Sequence, residues 1–208
     1  MRTPASRKPL PRPHKRPSQA RALFTVQALY DGFVRIWRRD GPAAATTRAI
    51  AEESGYAVGT LYDYFPNRDA LLAGYVRHCL EDLCQRLHEA DSAPGAWRER
   101  LRRLVAITLD QDGQAPYFDA TMLAMEGQIA NTGHHRRAFQ LLCEAWTQRL
   151  AAWPDLPARN AQVVPTLVWT VWGARRYAVL LERDAPSDEE VARISVMLEA
   201  LLLQPHPR

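Results

Sequence analysis

Residues 46 to 65 read TTRAIAEESGYAVGTLYDYF, two short helical patterns joined at a glycine, and no other stretch narrows the possible folds so far. Ile50 and Ala51 fall on the inward side of the first pattern, while Leu61, Tyr64 and Phe65 anchor the second. Gly55 stands at the joint, where a side chain would obstruct the turn. Two helices joined in this way form a helix-turn-helix. Its first helix braces against the DNA backbone, and the N-terminal part of the second enters the major groove, where base edges can be told apart. Val58, Gly59, Thr60, Tyr62, Asp63 and Tyr64 lie along that second helix and are candidate contacts to double-stranded DNA.

The charge distribution agrees with this reading. Residues 1 to 65 hold eleven Arg or Lys against five Asp or Glu, and the remainder holds sixteen against eighteen. An N-terminal part that neutralises phosphates and a C-terminal part with another task would be charged in this way. From Met1 to Pro17, Arg2, Arg7, Lys8, Arg12, Lys15 and Arg16 alternate with five prolines, without an acid or an aromatic. Proline blocks helix and like charges repel, so an extended or disordered arm is expected, either touching DNA or simply solvated.

With 208 residues and 47% hydrophobic composition the chain can bury a sizeable core in one or two domains. It has no apolar run of membrane-spanning length and no secretory signal, which predicts a cytoplasmic protein. Cys79, Cys84 and Cys143 form no C-x-x-C pair and are expected to be buried apolar residues, with a redox switch as the other possibility.

Helical spacing recurs to the end of the chain. Ser18 is a candidate N-cap for a helix reaching Gly41, with Val26, Leu29, Tyr30, Phe33, Ile36 and Trp37 on one stripe. A helix from Arg68 to Glu89 is long enough to begin in one domain and end in the next. Further helices are predicted around Trp97 to Leu109, from Pro116 to Ile129, and around Phe139 to Leu150, with a break at Asn131 to Gly133. Val163 to Leu181 is apolar on nearly every side, which predicts a helix surrounded by protein. Val191, Ile194, Leu198 and Leu201 follow the alternating three-and-four spacing of a lengthwise packing seam. These last two helices suggest either a face that joins a second copy or the core of a single one; the first is favoured because one recognition helix reads only half a site. No β-alternating run or glycine-rich phosphate loop interrupts this pattern. The expected fold is all-α: a disordered basic arm over 1–17, a three-helix DNA-binding domain over 18–66, and a helical ligand-sensing and dimerisation domain over 67–208.

The run TTRAIAEESGYAVGTLYDYFPNRDALL also resembles the N-terminal signature of the TetR family of one-component bacterial repressors. The likeness extends back through Ile36, Trp37 and Gly41, forward through Asn67, Arg68 and Leu71, and fades beyond Leu87. It implies that Thr60 approaches a base or methyl group, that Tyr62 donates to phosphate, and that Arg48 reads a guanine. Thr47, at the start of the first motif helix, would favour a phosphate, and Arg68 would add a second backbone clamp. Ala57, Val58 and Asp63 depart from the family's usual serine, polar and histidine residues. Asp63 is either a solvated acid or an acceptor for a cytosine amino group.

An effector pocket needs apolar walls with few polar groups, and Trp97, Tyr117, Met122, Met125, Trp146, Trp169, Trp172 and Tyr177 are the candidates to line one. Arg175 or Arg176 can pair with an acid such as Glu182, anchor an anionic ligand, or make an exposed interface contact. His134 and His135, with Glu126, do not complete a metal set, so no metal or cofactor is expected. No nucleophile or paired-carboxylate motif sits in a plausible context, which argues against an enzyme. The sequence therefore predicts a homodimeric repressor that an unidentified small apolar or amphipathic molecule releases from its operator. The rival reading is a constitutive DNA-binding or architectural protein without a ligand.

Overall fold

The computed structural model describes residues 20–90, 95–156 and 161–204, so the basic arm and the Ser18 cap lie outside the described residues. Described in order are α1 (Ala20–Asp40), α2 (Thr47–Glu53), α3 (Val58–Tyr64), α4 (Arg68–Glu89), α5 (Trp97–Leu109), α6 (Ala120–Ile129), α7 (Thr132–Ala151), α8 (Val164–Leu180) and α9 (Asp188–Leu202). The described residues contain no strand, and no described helix is long and apolar enough to cross a membrane.

The chain divides into two compact units, one reaching Arg77 and including Ala124–Thr132, the other comprising His78–Leu123 and the chain from Gly133 onward. The boundary falls inside α4, which runs through it without a break.

In the first unit, the apolar stripe of α1 closes on α2, α3 and the beginning of α4. Leu29, Phe33, Ile50, Leu61 and Leu71 are fully buried. Burial of each such side chain stabilises the fold by about 1.5–3 kcal/mol. Rings fill the space between the helices: Tyr30 meets Phe65 and Tyr75 at centroid distances of 5.7 and 5.5 Å, and Phe33 meets Trp37 at 5.2 Å. Gly74 admits this packing, since a Cβ there would stand 2.7 Å from the Tyr30 hydroxyl and 2.8 Å from Phe65 Cε1. The end of α2 is tied to α1 by Glu53, whose carboxylate accepts from Arg35 Nε at 2.9 Å and Arg39 Nη2 at 3.1 Å. The hydrogen bond from Arg35, followed by that from Arg39, holds the Glu53 carboxyl below the usual range.

The second unit packs α5 against α8 and α9. Its core joins Leu83, Leu87, Trp97, Leu101, Val105, Leu142, Trp146, Leu167, Val171, Val191 and Leu198. At the start of α5 the backbone N–H of Trp97 donates to Asp155 Oδ2 at 2.8 Å, and Arg100 also pairs with Asp155. Ser187 caps α9 with its hydroxyl accepting from Glu190 N at 3.2 Å, while Glu190 Oε2 accepts from Ser187 N at 2.9 Å.

Several helix boundaries differ from those the sequence suggests. Helix α6 begins at Ala120 rather than Pro116, because Asp119 Oδ1 accepts from Met122 N at 2.7 Å and acts as the cap. The break after Ile129 is short, and Gly133 lies inside the first turn of α7. Helix α8 is not enclosed on all sides: Val164, Leu167, Val168 and Val171 are buried, whereas Trp169, Tyr177 and Leu180 are exposed. The α9 seam packs inward, where Val191 and Leu198 are fully buried in the second unit's own core. The three cysteines are half-buried, and burial pushes the Cys84 thiol up to about 11, which leaves it protonated and weakly nucleophilic at neutral pH.

Candidate nucleic-acid interface

Helix α3 is held from beneath and open above. Leu61 and Phe65 are buried, while Val58, Gly59, Tyr62 and Asp63 are exposed and Thr60 and Tyr64 are half-buried. The separation follows from a seven-residue helix that turns Leu61 inward, with Phe65 buried just after its end, and leaves Val58 and Tyr62 on the outer side. Gly55 adopts φ +76°, a left-handed conformation that costs a glycine little, and thereby turns the chain from α2 into α3. Across α1 and α2 the approach is also close: a Cβ on Gly32 would lie 3.2 Å from the carbonyl oxygen of Ile50.

The start of α2 adds polar groups to this surface. Thr46 is its N-cap, with Oγ1 accepting from Ala49 N at 3.2 Å. Thr47 Oγ1 lies 3.2 Å from the Tyr62 hydroxyl, so the proposed phosphate-facing groups of α2 and α3 are adjacent. Arg48 is extended over the surface and donates from Nε to Glu52 Oε1 at 2.9 Å. The sequence reading missed this partner, although the i, i+4 spacing signals it. Arg68 is half-buried, with Nη1 donating to the Pro42 carbonyl at 3.0 Å, so it also braces the segment between α1 and α2. Asn67 caps α4 by accepting from Ala70 N at 2.8 Å.

The aromatic candidates of the C-terminal region separate into distinct environments. Trp97 and Trp146 are buried in the second unit's core, with Trp172 packed against it. The Trp146 indole N–H is enclosed without an acceptor. Met122 is fully buried, whereas Met125 is half-buried and belongs to the first unit. Tyr117 is half-buried and donates to Asp119 Oδ2 at 2.9 Å. Trp169 and Tyr177 stand on the exposed face of α8, with 73% and 67% of their surfaces accessible. Trp169 also packs against Phe139, with ring centroids 6.0 Å apart.

Arg175 is paired differently from what its neighbourhood in sequence suggests. It donates from Nη1 to the Thr108 carbonyl at 3.1 Å, and its Nη2 lies 3.7 Å from Asp110 Oδ2. Asp110 ends α5 in the left-handed region at φ 59° and accepts from Arg86 Nη1 at 3.1 Å. Burial pushes the Arg175 guanidinium below its ordinary pKa, with Asp110 partly opposing that effect.

Comparison with known proteins places the reading surface in a familiar setting. A family model described as bacterial regulatory proteins, tetR family, matches residues 29–75. Over 139 residues the chain is 30% identical to the HTH-type transcriptional regulator BetI of Burkholderia thailandensis, a match covering 66% of this chain and 68% of that protein. It is 29% identical over 130 residues to BetI of Paraburkholderia xenovorans, covering 58% of this chain and 65% of the relative, just under two thirds of its length. Among solved structures, a TetR transcription regulator from Haloarcula marismortui aligns with a TM-score of 0.62 at 18% identity, over 86% of this chain and 97% of that one. The TetR family repressor AlkX from Dietzia, implicated in biodegradation of n-alkanes, aligns with a TM-score of 0.60 at 16% identity, over 90% and 97%. At these identities the two structures speak to the fold.

Proposed function

The chain belongs to the TetR family of bacterial regulatory proteins, and on that premise we propose that it is a cytoplasmic homodimeric repressor released from operator DNA by a small apolar or amphipathic molecule. The observation that carries the DNA-binding part is the exposed face of α3 above a fully buried Leu61. A helix fixed from below can present Val58, Gly59, Thr60, Tyr62 and Asp63 to base edges without first ordering itself. Thr47, Arg48 and Arg68 would flank it as phosphate and base contacts, with Tyr64 at the edge. The DNA-reading part is assigned to residues 18–66, and residues 1–17 are assigned to the DNA side as a basic arm.

Residues 67–208 are assigned to sensing and dimerisation. The dimer would form through the outward faces of α8 and α9, where Trp169, Tyr177, Leu180, Val196, Met197 and Leu203 are exposed. Exposed large apolar side chains gathered on two helices of one unit suit such an interaction site. For the effector, the aromatic core around Trp97, Trp146 and Trp172 would supply apolar walls, with Tyr117 and Met122 as further candidates. The part that AlkX is said to play in n-alkane biodegradation makes an apolar effector a reasonable first screen. Helix α4 carries residues of both compact units, so a ligand that binds one setting of this helix better would shift the dimer between DNA-competent and released states.

The test begins with selection of bound fragments from random DNA by the purified full chain. The expected product is a two-fold-symmetric site with half-sites about 34–36 Å apart. Recovery of only sequence-independent binding would reject the repressor reading. Apolar compounds would then be screened for release of the selected site.

A further inference from the structure

We infer that Asp82 and Arg175 form a two-point site for the polar head of the effector, a net-neutral head that offers an acceptor to Arg175 and a donor to Asp82, as a primary carboxamide does. This assignment rests on the sensor reading above. The Arg175 side chain is only 15% exposed and makes one hydrogen bond among the described residues, to the Thr108 carbonyl at 3.1 Å. Its approach to Asp110 Oδ2, 3.7 Å, is too long for a second. A guanidinium carries five N–H donors, so most of this fork is unfilled.

Asp110 is already engaged, because its Oδ1 accepts from Arg86 Nη1 at 3.1 Å and from Ala115 N at 2.8 Å. Arg86 also donates to Asp112 at 2.5 Å. Asp82 stands four residues before Arg86 on α4, the spacing that stacks side chains on one helix face. Its charge acts on Arg175, yet its Oδ2 is enclosed without a hydrogen-bond partner. That carboxylate oxygen lacks a donor, and the guanidinium on which its charge acts keeps N–H groups beyond its one bond to the Thr108 carbonyl.

Charge determines which head fits. Arg86 and Arg175 against Asp82, Asp110 and Asp112 leave the cluster with one net negative charge. A carboxylate head would satisfy Arg175 but add a second uncompensated negative charge beside Asp82. An ammonium head would satisfy Asp82 but bring a cation to Arg175. A carboxamide leaves the net charge unchanged, with its carbonyl accepting from Arg175 and its N–H donating to Asp82. Leu83 and Val171 are buried in the adjoining apolar core, which suits a hydrocarbon remainder.

The experiment is calorimetric titration of the full chain with octanamide, octanoate and octylamine, which share one tail and differ in the head. Octanamide should bind roughly tenfold or more tightly than either of the others, as expected for hydrogen bonds to charged partners. Asp82→Leu and Arg175→Met should each erase that preference. Asp82→Asn, which keeps an acceptor oxygen and removes the charge, should retain octanamide binding and admit octanoate. Equal binding of the three compounds, no binding of any, or a preference that survives both substitutions overturns the assignment. Where a variant fails to fold, the series on the unsubstituted protein decides alone. Octanoate or octylamine that binds as tightly as octanamide and releases operator DNA would leave the sensor reading standing while this head assignment falls.

Discussion

The phenol oxygen of Tyr62 lies 3.2 Å from Thr47 Oγ1, which joins the outer side of α3 to the first turn of α2 through a pair of hydroxyls. In the proposed reading both residues would meet one stretch of DNA backbone. Tyr62→Phe removes a donor and leaves the exposed ring in place. It should weaken binding by about 0.5–1.5 kcal/mol, alike for every sequence. Titration against a set of single-base operator variants checks this, and a changed base preference with unchanged overall affinity would refute the backbone role.

Arg48 and Glu52 make a second prediction. Arg48 is paired with Glu52, and both side chains are largely exposed. Arg48→Ala should cost about 1–3 kcal/mol on the best site and relax preference at one base pair per half-site. Glu52→Ala frees the guanidinium and removes a negative charge near phosphate, so it should raise affinity most at low salt. If Arg48→Ala lowers affinity uniformly instead, the residue is a phosphate contact.

The two sides of α9 separate dimerisation from folding. Leu198 is fully buried in its own unit, so Leu198→Glu should unfold it, whereas Val196 is 65% exposed. Val196→Glu should leave each copy folded but bury an unpaired charge in the proposed dimer, at a cost of about 3–5 kcal/mol for an unpartnered ion. Sedimentation should show a folded monomer. A Val196→Glu dimer of unchanged stability would place the interface elsewhere.

Acid should loosen α9 at its N-terminus. The backbone N–H of Ser187, followed by Arg183 and the Ser187 hydroxyl, holds the Glu190 carboxyl at about 2, well below its ordinary 4.5. Because the folded-state value is depressed, the stabilisation is fully present above 4.5 and disappears as the pH falls toward 2. Glu190→Gln should be less stable at neutral pH, and the difference from the unsubstituted chain should narrow across this window. A difference independent of pH would show that the ionised carboxylate contributes nothing.

Much of the fold was legible because periodicity marks which side of a helix is buried. Leu29, Phe33, Ile36 and Trp37 form one such stripe, and all four are buried. Periodicity does not identify what covers that side. The α9 seam was read as facing a second copy, but its own core claims Leu198, and the exposed positions are Val196 and Met197. The surroundings of Arg175 were illegible for a related reason. Its contacts are the carbonyl of Thr108 and the left-handed Asp110 at the end of α5, 67 and 65 positions earlier in the chain. A nearby acid such as Glu182 is the natural guess without that fold. On the DNA side, the motif placed α2 and α3, while the commitment of Arg68 to the Pro42 carbonyl depends on the folded backbone between α1 and α2.

The construction of α3 also bears on how such a regulator can acquire new targets. Leu61 and Phe65 hold the helix down, and Gly74 fixes how closely α4 lies beneath Phe65 and Tyr30. Val58, Gly59 and Asp63 contribute little to that foundation because they are exposed. Substitutions at surface positions of this kind usually alter stability by less than about 0.5 kcal/mol. The residues proposed to meet DNA can therefore change while the support beneath them stays constant, and a lineage carrying this reading head can explore new operators through folded intermediates.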